Sequence, residues 1–313
     1  MAESDPEAVI KITGLRKKYR GLIAVDDISF DIRKGEIFGL LGPNGAGKTT
    51  TISMICGLLS ADGGSVEFNS KRITGSKTMI GYCPQENIYF PKLTCHEQLV
   101  FMGSQYELEN KVYRKRSEEL LEMLGLSGKK NVIARKLSGG MKRRLNIALA
   151  LIHDPSILIL DEPEAGLDPQ SRVLVRGIIK AFAREKTIIL TSHNMDEVDR
   201  LADRVAIMDK GRIMVIDTPQ NLKNSVGEGD ILEIELSLAG EDSSKKLLER
   251  IGNEYSTIIK DNILIIKAVN LVSRIHEITE LIKNSGFEIK EMKLRENTLE
   301  DVFIHLTGKM LRQ

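Results

Sequence analysis

The 313-residue sequence is poor in cysteine, aromatic residues and long uncharged runs. Its three cysteines, Cys56, Cys83 and Cys95, are odd in number, and the gaps of 27 and 12 positions between them match no zinc spacing. They read as free thiols in a reducing compartment, acting as small buried hydrophobes. The chain has little excess charge: Lys+Arg is 45 and Asp+Glu is 44, a net of +1. That balance excludes a nucleic-acid binder working through bulk charge. The longest stretch without a charged residue is Thr49–Ala61, 13 residues that include Gly57. A spanning helix needs about 20 mostly apolar residues, so the chain is not expected to cross a bilayer by itself. The start, MAESDPEAVI, carries Glu3, Asp5 and Glu7 where a secretory signal is basic and then apolar. No internal repeat or low-complexity tract is visible. What remains is ordinary globular usage, 42% hydrophobic and 28% charged, in a chain long enough for about two domains with a core each.

The first part alternates strand-like and helix-like segments. Val9–Ile12 and Ala24–Ile32 are strand candidates, and Glu36–Leu41 is an apolar run ending in a glycine-rich turn. Ile157–Leu160, Thr187–Leu190 and Arg204–Met208 are similar short runs, as expected of parallel strands covered on both faces. Ile52, Ile55, Cys56 and Leu59 fall at helical spacing, as do Leu145, Ala148, Leu149 and Ile152. A helical portion over about Glu97–Leu126 reads as an inserted lobe of the same α/β domain. Near Asn221–Asp230 a polar stretch with Ser225, Gly227 and Gly229 marks a boundary. Beyond it, strands at Asp230–Leu238, Tyr255–Lys260, Ile263–Ala268 and Phe287–Leu294 alternate with helices at Ser244–Ile251 and around Leu271, Ile275, Ile278 and Ile282. That order, βαββαβ, is the ferredoxin-like motif, and Leu299, Val302, Phe303 and Leu306 stripe a closing helix. The expected division is residues 1–222, with the helical lobe over about 90–155, and residues 223–313.

Chemistry concentrates at three places. GPNGAGKTT, Gly42–Thr50, has the spacing of a phosphate-binding loop between a strand and a helix. Gly42, Gly45 and Gly47 leave room for backbone N–H groups to surround a triphosphate, and the following helix turns its positive end toward it. Lys48 supplies a point charge to the β- and γ-oxygens, and Thr49 a hydroxyl to Mg²⁺. ILILDEP, Ile157–Pro163, places Asp161 and Glu162 at the end of a buried strand, where Asp161 would hold the Mg²⁺ shell and Glu162 would polarise the attacking water. Taken alone, two such acids read as solvated loop residues. LSGGM, Leu137–Met141, opens a helix with Ser138 as N-cap and Gly139 and Gly140 baring backbone donors. Alone it reads as a helix cap.

In order come GPNGAGKTT, Gln85 in YCPQE, LSGGM, ILILDEP, the AGLD of Ala165–Asp168, and His193. With this ordered set, over roughly Ile10–Leu222, the chain resembles the ATP-binding subunit of an ABC transporter. The resemblance implies a P-loop ATPase domain, a mixed sheet with a helical lobe, followed by the small α+β domain. It implies that Tyr19 stacks on adenine, a core tyrosine being the competing reading. Gly42, Pro43, Asn44, Gly45, Ala46, Gly47, Lys48, Thr49 and Thr50 would then hold the phosphates of ATP, with Thr49, Gln85 and Asp161 toward Mg²⁺. It further implies that Ser138, Gly139 and Gly140 close over ATP from another protomer. Glu162 would be the catalytic base, Asp168 the D-loop acid and His193 the γ-phosphate switch.

Two positions depart from the family's commonest pattern. Met141 stands in place of Gln and loses a hydrogen bond toward nucleotide; Glu164 stands in place of Thr and is expected to add negative potential beside Glu162. The tail, with TLEDVFIHLTG at Thr298–Gly308, resembles the extension of drug-resistance-type exporters, as does MKRRLNIALALIHDP at Met141–Pro155.

One chain holds one P-loop and one signature, so the simplest complete site needs a homodimer, each ATP lying between Lys48 of one copy and Ser138 of the other. The implied partner is a separate membrane permease, with the ATPase on the inner face of the cell membrane and transport expected in the outward direction. Tyr89, Phe90, Leu93 and Phe101 near the lobe are candidates for its groove, lobe core being the plainer reading of Leu99 and Phe101. Lys142, Arg143 and Arg144 read as solvated helix-face charges. A rival function, a non-transport ATPase acting on nucleic acid or the ribosome, is countered by the short span of about 90 residues between Lys48 and Ser138. The tail domain is expected to serve dimerisation or regulation, with a small-molecule sensor as the other option.

Overall fold

A computed structural model describes residues 7–69, 71–72, 78–106, 109–183, 185–226, 230–237, 247, 251, 255–260, 262–268 and 271–308. The chain divides into two compact units, Met1–Pro219 and Gln220–Gln313.

The first unit contains two sheets. β1 (Ala8–Tyr19) and β2 (Leu22–Arg33) form a long hairpin turned at Arg20 and Gly21, both at positive φ. β1 runs well past the expected Val9–Ile12, and β2 extends the expected Ala24–Ile32 slightly at both ends. Their ends are exposed, with Arg16 and Lys18 on β1 and Leu22 and Ile23 on β2, and pairing rather than burial carries them on. With β4 (Gly63–Phe68) and β5 (Lys71–Arg72) they make an antiparallel sheet in the order β2-β1-β4-β5.

The second sheet has the order β10-β9-β3-β8-β7-β6. It comprises β3 (Ile37–Leu41), β6 (Ile80–Cys83), β7 (Ile157–Asp161), β8 (Thr187–Ser192), β9 (Arg204–Asp209) and β10 (Arg212–Asp217). All pairs are parallel except the β9–β10 hairpin. β3, β7 and β8 are buried at every residue, which is why their sequences are continuous apolar runs. Ile10, Ile12, Phe38, Leu40, Ile52, Ile157, Ile159 and Ile189 share one core.

Helix α1 (Lys48–Ile55) leaves the end of β3 and stops before Gly57, so Leu59 of the apolar stripe lies beyond it. The lobe comprises α2 (Cys95–Ser104), α3 (Asn110–Met123) and α4 (Gly139–Leu151). Thr94 and Glu97 cap α2 reciprocally, and Ser138 caps α4 by accepting from the Met141 N–H at 3.3 Å. α4 is buried almost all round. Arg143 and Arg144, expected in solvent, are 3% and 9% exposed. The reason is that α4 packs on the lobe helices and on β6, β7 and α5 (Pro169–Phe182), so it has no broad free face. Arg144 donates to the carbonyls of Leu124 and Gly125 at the end of α3. α6 (Met195–Leu201) follows β8.

In the second unit, α7 (Pro219–Ser225) straddles the division between the units. β11 (Asp230–Leu236), β12 (Ser256–Lys260), β13 (Ile263–Ala268) and β14 (Ile289–Arg295) form an antiparallel sheet in the order β12-β13-β11-β14. α8 (Leu271–Asn284) supplies Leu271, Ile278 and Ile282 to a core with Leu232, Ile234, Leu264 and Ile266. The helix expected over Ser244–Ile251 lies outside the described residues except for Leu247 and Ile251, both buried in that core. α9 (Leu299–Thr307) begins with a capping box between Thr298 and Asp301, and Arg295 bridges Asp301 and Glu233 at 2.6 and 2.7 Å.

Candidate functional site

Four neighbouring parallel strands, β3, β8, β7 and β6, end at one edge of the second sheet. Their carboxyl ends carry the glycine loop, His193, the Asp161–Glu162 pair and Gln85 respectively. Register places Leu41 beside Ser192, Thr191 beside Asp161, and Leu160 beside Cys83. Residues more than a hundred positions apart are thereby brought to one crevice, the usual ligand position in such sheets.

The loop is shaped for anions. Gly47 caps α1 at φ 105°, and a Cβ there would lie 2.4 Å from the Ala24 carbonyl oxygen. A Cβ on Gly42 would meet the Met208 carbonyl at 2.2 Å. Only glycine fits either position, and both keep the backbone close to whatever the loop holds. Lys48 is 5% exposed and donates through Nζ to the Gly42 carbonyl at 2.7 Å and the Pro43 carbonyl at 3.1 Å. Burial lowers its pKa, opposed by the charges of Glu162 and Asp161. Thr49 is exposed and Thr50 half-buried on the first turn of α1.

Glu162 is the centre of the cluster. One carboxylate oxygen, Oε1, lies 3.0 Å from His193 Nδ1 and 4.0 Å from Lys48 Nζ; the other, Oε2, accepts from Gln85 Nε2 at 3.3 Å. Asp161 is 1% exposed and accepts from Thr191 Oγ1 and, at 3.4 Å, from the Tyr82 hydroxyl. These acids are therefore buried, not solvated. Glu162 also holds φ 47°, a left-handed value that costs a non-glycine residue about 1–3 kcal/mol. Its N–H donates to both the carbonyl and the hydroxyl oxygen of Thr191, each at 3.1 Å.

Ser138, Gly140 and Asp168 form a second group. Asp168 caps α5, accepting from the Ser171 N–H at 2.9 Å and the Ser171 hydroxyl at 2.7 Å. A Cβ on Gly140 would lie 2.2 Å from that same Ser171 Oγ. The hydrogen bonds from Ser171 hold the Asp168 carboxyl below the usual range. Gly139 faces open space. Tyr19 stands at the end of β1, 44% exposed, with Lys17 Nζ 5.7 Å from its ring centroid, so the core-tyrosine reading does not hold.

Glu164 has a partner that the sequence did not show. Its carboxylate is buried and bound by both Nε and Nη2 of Arg176 at 2.5 and 2.7 Å, so it is paired, while its charge still adds to the burial that raises Glu197. Sequence reasoning also missed Thr191, Arg143, Arg176 and Glu197. Glu197 is 2% exposed and accepts from Ser192 Oγ at 2.6 Å, while its Oε1 has no partner. Burial pushes it up to about 7. The partners of Thr191, Arg143 and Arg176 lie at least 12 positions away in sequence, whereas Glu197 meets Ser192 only five positions before it.

The donor set suits a magnesium ion that shares phosphate oxygens. Among the described residues no cluster of three His, Cys, Asp or Glu could enclose a metal unaided. One buried carboxylate, a hydroxyl and a flexible amide beside an anion loop match the Mg²⁺ habit of taking few protein ligands plus phosphate. No helix of the described residues is long and apolar enough to cross a membrane.

Residues 25–165 match the family described as ABC transporter. The chain is 37% identical to the linearmycin resistance ATP-binding protein LnrL of Bacillus subtilis (strain 168), over 97% of this chain and 100% of that one. It is 36% identical to the Nod factor export ATP-binding protein I of Ralstonia nicotianae (strain ATCC BAA-1114 / GMI1000), over 97% and 95% respectively. Among solved structures, cbiO1 from Clostridium perfringens, part of the ABC transporter complex cbiONQ, aligns with a TM-score of 0.64. It is 29% identical and covers 70% of this chain and 93% of that one.

Proposed function

This chain belongs to the ABC transporter family as an ATP-binding subunit, an ATPase that drives a membrane permease, and from that premise we propose how its residues divide the work. The observation that carries the proposal is the convergence of Lys48, His193 and Gln85 on the two oxygens of Glu162. Residues Gly42–Thr50 hold the phosphates of ATP. Lys48 exchanges its contacts with the Gly42 and Pro43 carbonyls for phosphate oxygens. Glu162 takes a proton from water as its oxygen bonds the γ-phosphorus and the bond to the bridging oxygen breaks, releasing ADP and phosphate. His193 Nδ1, beside Glu162 Oε1, orients that carboxylate and the γ-phosphate. Thr49, Asp161 and Gln85 would hold Mg²⁺, which would supply neutralisation of the charge on the phosphates. Tyr19 offers its exposed face to adenine.

The P-loop group and the Ser138–Gly140–Asp168 group are two half-sites. A homodimer unites them, with Ser138, Gly139 and Gly140 of one copy closing over the ATP held by the other. The domain with this activity spans residues 1–222, and residues 223–313 form a βαββαβ accessory domain. The subunit works at the cytoplasmic face of the membrane, and the resistance and export relatives support an outward direction of transport. Ile88, Phe90 and Phe101 are exposed on the lobe side of Gln85, with Phe90 and Phe101 in edge contact at 5.3 Å. They form the surface offered to the permease, with Tyr89 and Leu93 half-buried, and of Leu99 and Phe101 only Leu99 is buried. The nucleic-acid alternative is disfavoured, since Arg143 and Arg144 are buried on carbonyls and cannot reach phosphate.

The test is Glu162→Gln. It keeps the shape and removes the base, so turnover is expected to fall by about 100-fold or more while nucleotide binding persists. Wild-type turnover in that variant refutes the assignment.

A further inference from the structure

Arg143 lies one turn into α4, just after the LSGGM segment, and is almost wholly buried. Its guanidinium donates to four backbone carbonyls. Nη1 reaches Pro84 at 2.5 Å and Gln85 at 3.3 Å, Nη2 reaches Asp161 at 2.7 Å, and Nε reaches Pro163 at 3.1 Å. Asp161 and Pro163 are the two neighbours of Glu162, the residue held at φ 47°. Pro84 and Gln85 are the residues that follow β6. One side chain thus grips the peptide groups on both sides of the strained acid and, with its remaining donors, the backbone that carries the acid's Gln85 partner.

We propose that Arg143 is a positioning residue for ATP hydrolysis. It fixes the left-handed conformation of Glu162 and locks that residue in register with Gln85 and with the helix that starts at Ser138. The inference rests on the reading of Glu162 as the base. Three features support it. All four acceptors are main-chain oxygens, so what the guanidinium defines is backbone position. The planar fork spans the Asp161 and Pro163 carbonyls together, which an ammonium cannot do. The Glu162 peptide groups are otherwise held by the two Thr191 oxygens on its N–H and by the Ala165 N–H on its carbonyl at 3.2 Å, so the guanidinium is what anchors the flanking Asp161 and Pro163 carbonyls. Without the guanidinium, the Asp161 and Pro163 carbonyls lose this anchor, and relaxation of the Glu162 backbone toward an unstrained φ carries the carboxylate away from His193 and Gln85. Because Arg143 sits on the signature helix, any movement of that helix against a neighbouring copy is delivered to the base and to the Gln85 loop through a single group.

The experiment compares full-length wild type, Arg143→Gln, Arg143→Lys, Glu162→Gln and Arg143→Gln/Glu162→Gln by Mg-ATP turnover, equilibrium nucleotide binding and thermal unfolding. Arg143→Gln is expected to lose about 10- to 100-fold in kcat, the scale of a small misplacement of a reacting group, with KM and nucleotide affinity unchanged. Arg143→Lys, which keeps the charge and not the fork, is expected to recover little of the loss. The double variant is expected to be no slower than Glu162→Gln alone, since the two residues act through one carboxylate. If Arg143→Gln does not accumulate folded, Arg143→Lys carries the same comparison. Wild-type turnover in Glu162→Gln refutes the base assignment and the clamp with it. Loss there with wild-type kcat in Arg143→Gln or Arg143→Lys refutes the clamp alone. A parallel fall of nucleotide affinity and kcat shows a general structural role and also overturns the proposal.

Discussion

Removing Arg176 should damage this protein more than removing the carboxylate it serves. Glu164 has a side chain only 5% exposed, whereas Arg176 retains 23% exposure. In Arg176→Met the buried carboxylate loses the guanidinium that binds both its oxygens while it stays near Glu197. Breaking a buried pair in this way costs about 3–5 kcal/mol, and the partial exposure of Arg176 places the expected value near 3. For a unit of this size that is a fall of roughly 6–12 °C in the unfolding midpoint. In Glu164→Gln the guanidinium can turn to solvent and keep one neutral hydrogen bond, so the cost is about 1–2 kcal/mol. Removing Arg176 also removes a charge that holds Glu197 down. The pKa of Glu197 then rises further above its unfolded value, and stability falls more steeply as pH increases. The measurement is calorimetric unfolding of full-length variants at several pH values; far-UV dichroism serves as the second probe because the chain has no tryptophan. If Glu164→Gln is as destabilising as Arg176→Met, or if Arg176→Met unfolds with the wild type, the reasoning about a matched buried charge is wrong.

Glu197 gives a pH prediction of its own. Its folded pKa of about 7 lies above the ordinary value of 4.5, so the stability linked to its proton is complete below about pH 4.5 and is lost as pH rises through 7. Glu197→Gln should therefore unfold at a higher temperature than wild type at pH 8, the gap closing toward pH 5, as calorimetry at both values will show; a gap of constant size refutes it. Phe90→Glu should leave the ATPase activity of the isolated subunit within about twofold of wild type, since a surface change away from special features alters little. The same variant should abolish stimulation by the permease in reconstituted vesicles. Retained stimulation removes the exposed aromatic pair from the docking surface.

The chemistry-bearing residues were legible because their spacing is local. A glycine loop needs its glycines, lysine and threonine within nine positions, and a buried parallel strand followed by two acids is a contiguous string. The apolar runs of β3, β7 and β8 could be read directly, since strands covered on both faces have no polar side to break the pattern. The β1–β2 hairpin ran longer than its apolar segment because pairing with a neighbour, not periodicity, sustains its ends.

What the sequence by itself determined is the inventory: a phosphate loop, a carboxylate pair, a signature turn and a histidine, and the order in which they occur. Only the tertiary structure decided how they meet. Strand order in the sheet, β3-β8-β7-β6, brings four distant loops to one edge around Glu162. The same packing reverses the reading of Arg143 and Arg144 and supplies Glu164 with its partner Arg176. On a string of residues these are charges, and charge suggests solvent. In the fold they face carbonyls and a guanidinium, because α4 and the Glu162 loop are enclosed on several sides at once. Burial and pairing are properties of neighbours in space, and no local pattern encodes which neighbours a charged side chain will find.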